Sequence, residues 1–152
     1  MTINLKSVIT SGLVAGVIIT VSAITMVPVV GNEMDTVLAN HGLPPLSNLD
    51  MVYFCFVSLF YGISLVFLYA ALKPQFKSRV KTAIITSIIV WILANVIGNV
   101  ANVVYGFMPV KLTVIGIIWG LMEFLLGTLI ASRLYERNSK NNKYQSNKIF
   151  GI

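Results

Sequence analysis

Glu123 is the one acidic residue of this sequence that stands in the middle of a long apolar run. A carboxyl group in that setting can hold and release a proton or grip the polar head of a ligand, and it is costly enough to bury that it usually serves a function. Gly116, Gly120, Glu123 and Gly127 follow the helical repeat, so Glu123 faces a closely packed neighbour. Counting from the centres of the other apolar runs finds polar groups at similar depth. Asn95, Asn99 and Asn102 share one face of the third run, with Trp91 a turn before. Tyr61 is central in the second run and Thr20 in the first. These residues are expected to form one hydrogen-bonded layer, extended by Asn99 and Asn102 toward one end. Such a layer can be a proton or ligand site. It can also be a network that fixes helix register, at roughly 0.6–2 kcal/mol per interhelical bond.

Other chemistry lacks its groups. No second carboxylate and no histidine falls within an apolar run, and no Ser/His or Cys/His pair shares a depth. No glycine-rich phosphate loop follows a strand. Cys55 is the sole cysteine, which excludes an intrachain disulfide, and no Cys/His pattern suggests zinc or covalent haem. His41 with Glu33 and Asp35 is a weak metal set and reads better as the solvated face of a helix. No cofactor and no metal is expected, and the balance leans away from an enzyme.

The elements that must position Glu123 are set by composition. Hydrophobic residues make up 57% of the 152-residue chain and charged residues 11%, too few charges to cover a water-facing surface. Four apolar runs occupy 8–30, 51–72, 82–105 and 112–132. Each is about 20 residues or longer, enough for a helix to cross a hydrocarbon layer of roughly 30 Å. Backbone groups in lipid must bond internally, so the runs are expected to be helices. The first has only Lys6 before it and exceeds a signal-peptide core in length, so it reads as a retained span. The expected fold is all-α, a polytopic four-helix membrane bundle over 1–135, followed by a polar tail over 136–152 that frays into disorder.

The connections carry their own signals. Between 31 and 50, Asn32 with Asp35 suggests a helix cap, and Gly42 with Pro44 and Pro45 a stop. A short amphipathic helix lying outside on the membrane surface is expected there. Ser47 with Asp50 forms a second capping box, which starts the second span, and Ser78 is placed to cap the third. Tyr53, Tyr69, Tyr105 and Tyr135 lie near span ends, as interfacial anchors do.

Charge then gives direction. Lys6, Lys73, Lys77, Arg79, Lys81, Arg133, Arg137, Lys140, Lys143 and Lys148 fall on one side and only Lys111 on the other. The positive-inside rule puts both termini in the cytoplasm, with the chain in the plasma membrane. The net charge of +6 belongs to these span ends, and nucleic acid is not an expected partner. Membrane lipids are, with other membrane subunits or a second copy as further candidates. Gly12 and Gly16 in the first run, and Gly116, Gly120 and Gly127 in the fourth, give small faces for close helix packing, within the chain or between copies.

The stretches LYAALKPQFKSRVKTAIITSIIVWIL (68–93) and WGLMEFLLGTLIASRLYE (119–136) resemble uncharacterised small bacterial membrane proteins with four helices. The resemblance covers about a third of the chain; it implies the topology and no activity. Small multidrug-resistance transporters carry their glutamate in the first span, which here has no acid. Glutathione-transferase-like membrane proteins carry a charged, Asn-containing motif at the second span that this chain lacks. The functional expectation is a non-enzymatic accessory subunit or a bundle that binds a hydrophobic ligand. The alternative is a small proton-coupled transporter using Glu123.

Overall fold

The computed structural model describes residues 3–150, with side chains through 141. Every element among them is helical: α1 (Leu5–Asn40), α2 (Asn48–Leu72), a 3₁₀ turn (Lys73–Gln75), α3 (Arg79–Trp91), a π-helical turn (Ile92–Val96), α4 (Ile97–Val104) and α5 (Val110–Phe150). Four of the resulting rods are long and apolar enough to cross a membrane, the third formed by α3, the π turn and α4 together.

The helix starts follow the local chemistry. Asn4 caps α1 by accepting from the Ser7 amide at 3.1 Å. Ser47 and Asp50 form a reciprocal box at the start of α2: the Ser47 amide donates to Asp50 Oδ2 at 2.7 Å and the Asp50 amide to Ser47 Oγ at 3.3 Å. Ser78 caps α3 through the Lys81 amide.

One expected element is absent. The residues after 30 do not form a separate surface helix; they extend α1 without a break to Asn40. Pro28 lies inside this helix and does not end it. Asn32 is not a cap, because capping requires it to leave helical geometry. Instead its carbonyl accepts from Thr36 Oγ1 at 2.9 Å within the running helix. The stop comes where a left-handed residue is available: Gly42 has φ 69°, and the Leu43 amide turns back to the Leu38 carbonyl at 2.9 Å. At 36 residues α1 is about 54 Å long, well beyond the roughly 30 Å of a hydrocarbon core. At the other end of the chain α5 continues past 136 to Phe150.

The helices pack as two hairpins, α1 with α2 and α3–α4 with α5, and α5 also lies against α1 and α2. The closest approach is between α1 and α2. A Cβ on Gly62 would overlap backbone atoms of both Gly12 and Gly16, and a Cβ on Gly12 or Gly16 would sit 2.5 Å from the Cα of Ile63 or Leu59. Glycine is therefore required at all three positions. Around this contact the interior holds small hydroxyl residues as well as apolar ones, among them Ser11, Thr82, Thr86, Ser87, Thr128 and Ser132. Ser87 Oγ donates both to the Ala83 carbonyl at 2.9 Å and across to the Phe124 carbonyl of α5 at 3.1 Å.

The two contiguous core clusters occupy one half of the bundle, the half nearest the many basic residues; Leu112 and Thr113, at the start of α5, are buried apart from them. In α1 the last buried residue is Ile19, in α2 the first is Gly62, and α4 has none. Tyr69 and Tyr135 belong to this core and are not interfacial anchors. They are 0% and 9% exposed and meet edge to face at 6.1 Å. The Tyr69 hydroxyl donates to Glu136 Oε1 at 2.7 Å, a partner that lets a tyrosine be buried whole. Tyr53 and Tyr105 are exposed at the far end.

Candidate functional site

Two antiparallel stripes define the site. On α1, Ala15, Ile19, Ser22, Met26, Val30 and Met34 recur at three- and four-residue spacing and so share a face. On α5, Gly127, Glu123, Gly120, Gly116 and Leu112 do the same in the opposite direction. The stripes touch where both carry small residues: a Cβ on Gly127 would lie 3.5 Å from the Ala15 carbonyl and 3.7 Å from Ile19. Beyond that contact they part. A bond from Trp119 Nε1 to Ser22 Oγ, 3.1 Å long, spans the point of divergence. At the far rim Lys111 pairs with Glu33, again joining α5 to α1.

Between these two crosslinks lies a cleft of about 230 Å³. Its apolar wall includes Met26, Met34 and Met108, three of the chain's six methionines. Unbranched thioethers adapt to irregular shapes, so this wall can accommodate more than one ligand contour. The polar groups on the wall are few: Asn99, Trp119 and Glu123. Glu123 is 9% exposed, and its carboxyl lies by the Ser22 hydroxyl and the Trp119 indole. Its Oε1 atom is buried with no hydrogen-bond partner. A buried oxygen left unpaired costs about 1–3 kcal/mol, so the site is one partner short.

The polar residues do not join into a single layer. Asn95 and Asn99 form their own unit, with Asn99 Nδ2 donating to the Asn95 carbonyl at 2.8 Å and to Asn95 Oδ1 at 3.2 Å. Asn95 lies in the π turn, where the Ile97 amide bonds to Ile92 five residues back. Its side chain lies over Gly120, where a Cβ would collide with Asn95 Nδ2. Single π turns of this kind often occur at functional sites. Asn99 reaches the cleft wall. Asn102 is exposed, and its carbonyl accepts the Phe107 and Met108 amides in the turn that follows. Thr20 bonds to the Gly16 carbonyl of its own helix at 2.9 Å. Tyr61 meets the Phe124 ring at a tilt, with centroids 5.7 Å apart. Gly116, expected to pack closely, has no atom within 4 Å of a built Cβ and opens onto the cleft.

Sequence reasoning missed Ser22, Trp119 and the methionines. Ser22 was accessible to it, because it continues the Ala15–Ile19 face by one turn. Trp91, placed a turn before the asparagines, proves to be an interhelical tie: its Nε1 donates to the Ile117 carbonyl at 2.8 Å. His41, Glu33 and Asp35 do not come together as a group that could hold a metal among the described residues. Glu33 is taken by Lys111, and His41 Nδ1 lies 2.8 Å from the Val37 carbonyl of its own helix.

Comparison with family models, with curated proteins and with solved structures finds no match for this chain.

Proposed function

We propose that this chain is a multi-pass membrane protein, both termini cytoplasmic, whose outer half binds a hydrophobic ligand with a hydrogen-bonding head. The observation that carries this reading is Glu123 in the wall of a mostly apolar cleft, with its Oε1 atom buried and unpaired. A carboxylate oxygen accepts hydrogen bonds, so the fitting head group is a donor, an amine before a hydroxyl. Most of the wall is apolar, so the body of the ligand is apolar too. At about 230 Å³ the cleft is smaller than the roughly 300–1,000 Å³ of a drug-sized pocket. It takes the head and the first part of a chain and leaves the rest among lipid tails.

Native mass spectrometry on the purified protein with matched twelve-carbon probes tests this. Dodecylamine should be retained best, dodecanol less and dodecanoate least, and Glu123→Gln should remove the preference for the amine. Equal retention of all three by the unmodified protein refutes the assignment.

A second reading, proton-coupled transport, is favoured by one observation: the cleft at Glu123 opens toward the far end, while Ile19, Leu65 and Phe124 pack together on its basic side. That is the shape of one state of an alternating pair. In proteoliposomes a pH gradient would drive uptake of the amine probe, and Glu123→Gln would abolish the dependence on the gradient. Binding without gradient-driven uptake decides for the first reading.

A further inference from the structure

A second cavity, of about 530 Å³, lies at the basic end, remote from Glu123. It is bounded by the turn after α2, the start of the chain and the part of α5 beyond its span. Its walls are of two kinds. Ala70, Ala71 and Tyr135 form an apolar wall, in which Ala70 and Tyr135 belong to the core and Ala71 is exposed; Lys73, Ser139 and Lys140 supply cationic and hydroxyl groups.

The acid in the lining, Glu136, is already engaged. It accepts from the Tyr69 hydroxyl at 2.7 Å and pairs with Lys73 at 3.4 Å. This holds the lysine at the cavity edge and offsets one positive charge. Lys140 has no ion-pair partner among the described residues, so the lining keeps a cationic surplus. Arg79 lies close enough to the Tyr69 hydroxyl to act on it electrostatically, and its Nε is buried without an acceptor. Arg79 stands behind the cavity and does not line it, so the cationic contacts there are the lysines.

We propose that this cavity seats the phosphate of an anionic phospholipid of the cytoplasmic leaflet, with Lys73 and Lys140 as its cationic contacts; this rests on the membrane reading above. The apolar wall distinguishes the lipid from a soluble anion. Free phosphate would use the lysines but gain nothing from Ala70, Ala71 and Tyr135. A diacyl lipid places its phosphate at the lysines and its chains along that wall. Basic pockets between helices on the cytoplasmic side have the chemistry that selects such head groups.

Spin-labelled phosphatidylglycerol and phosphatidylcholine, added to the full chain in vesicles of equal parts of the two lipids, test the proposal. The unmodified protein should prefer the phosphatidylglycerol label. Lys73→Gln with Lys140→Gln should cut that preference about thirtyfold, from about 1 kcal/mol per basic residue near an anionic surface. Ala71→Phe, which fills the cavity and keeps every charge, should cut it too. Arg133→Gln with Arg137→Gln removes the same charge outside the cavity and should leave the preference intact. Equal loss in the arginine pair, an unchanged preference in Ala71→Phe, or full displacement of the label by millimolar inorganic phosphate overturns it. Insertion into the vesicles, read by resistance to carbonate extraction, separates the two failures. A chain that inserts but shows no lipid preference contradicts this inference alone, whereas one that does not insert removes the membrane reading with it.

Discussion

Gly127 and Gly116 stand on one face of one helix, three turns apart, and their surroundings are opposite. Gly127 lies against Ala15 and Ile19, while Gly116 faces open space. The same contrast holds for the two halves of the bundle. Near the basic end, glycines meet backbone, hydroxyls bond across helices, and two tyrosines are buried whole. Near the other end α1 and α5 separate, α4 buries nothing, and among the described residues Ser22–Trp119 and Glu33–Lys111 are the polar bridges across the space between α1 and α5. One half is built for rigidity and the other for access. Glu123 lies at the boundary, beside Ser22 and Trp119, with its Oε1 atom buried and unpaired.

Substitutions should divide along that boundary. The largest effect is expected from Gly62→Ala, whose new methyl would overlap the backbone of Gly12 and Gly16. Overpacking against atoms that cannot rotate away should cost about 3 kcal/mol, read as a lower unfolding midpoint in detergent by circular dichroism. Glu123→Gln should weaken binding of dodecylamine about tenfold, the loss of one charge-assisted bond, while leaving that midpoint nearly unchanged. Trp91→Phe removes the tie to the Ile117 carbonyl and should cost about 1 kcal/mol by the same unfolding assay. Lys111→Gln breaks an exposed ion pair and should cost at most about 1 kcal/mol. Gly116→Ala should fall within about 0.5 kcal/mol, since its methyl meets nothing. A large loss in Gly116→Ala would erase the contrast between the halves.

Much of the packed half could be read from residue types. Apolar run length sets the helices, Ser47 with Asp50 sets a start, and small residues at four-residue spacing mark the α1 face that meets Gly62. The open half was harder to read. Pro28, Asn32 and Asp35 carry signals for a break and a new cap, but a helix already propagating keeps its i→i−4 bonds and outweighs them. Tyr69 and Tyr135 looked like interfacial anchors because position along a span does not reveal which way a ring points. Burial of Tyr69 depends on Glu136, 67 residues away in sequence. Matching depths placed Thr20 and Tyr61 near Glu123, but rotation about each helix axis decides contact, and Ser22 with Trp119 occupies that position. The polar stripe was thus visible, while its division into two units was not.

Trp119 lies in the cleft beside Glu123 and provides the most direct reading of the site. Its fluorescence, isolated on a Trp91→Phe background, should be quenched by a terminally brominated alkylamine as the probe enters from lipid. A ligand cleft with Glu123 as its polar anchor predicts half-quenching at about tenfold lower probe concentration than in the same protein carrying Glu123→Gln. Superimposable quenching curves for the two proteins would contradict it.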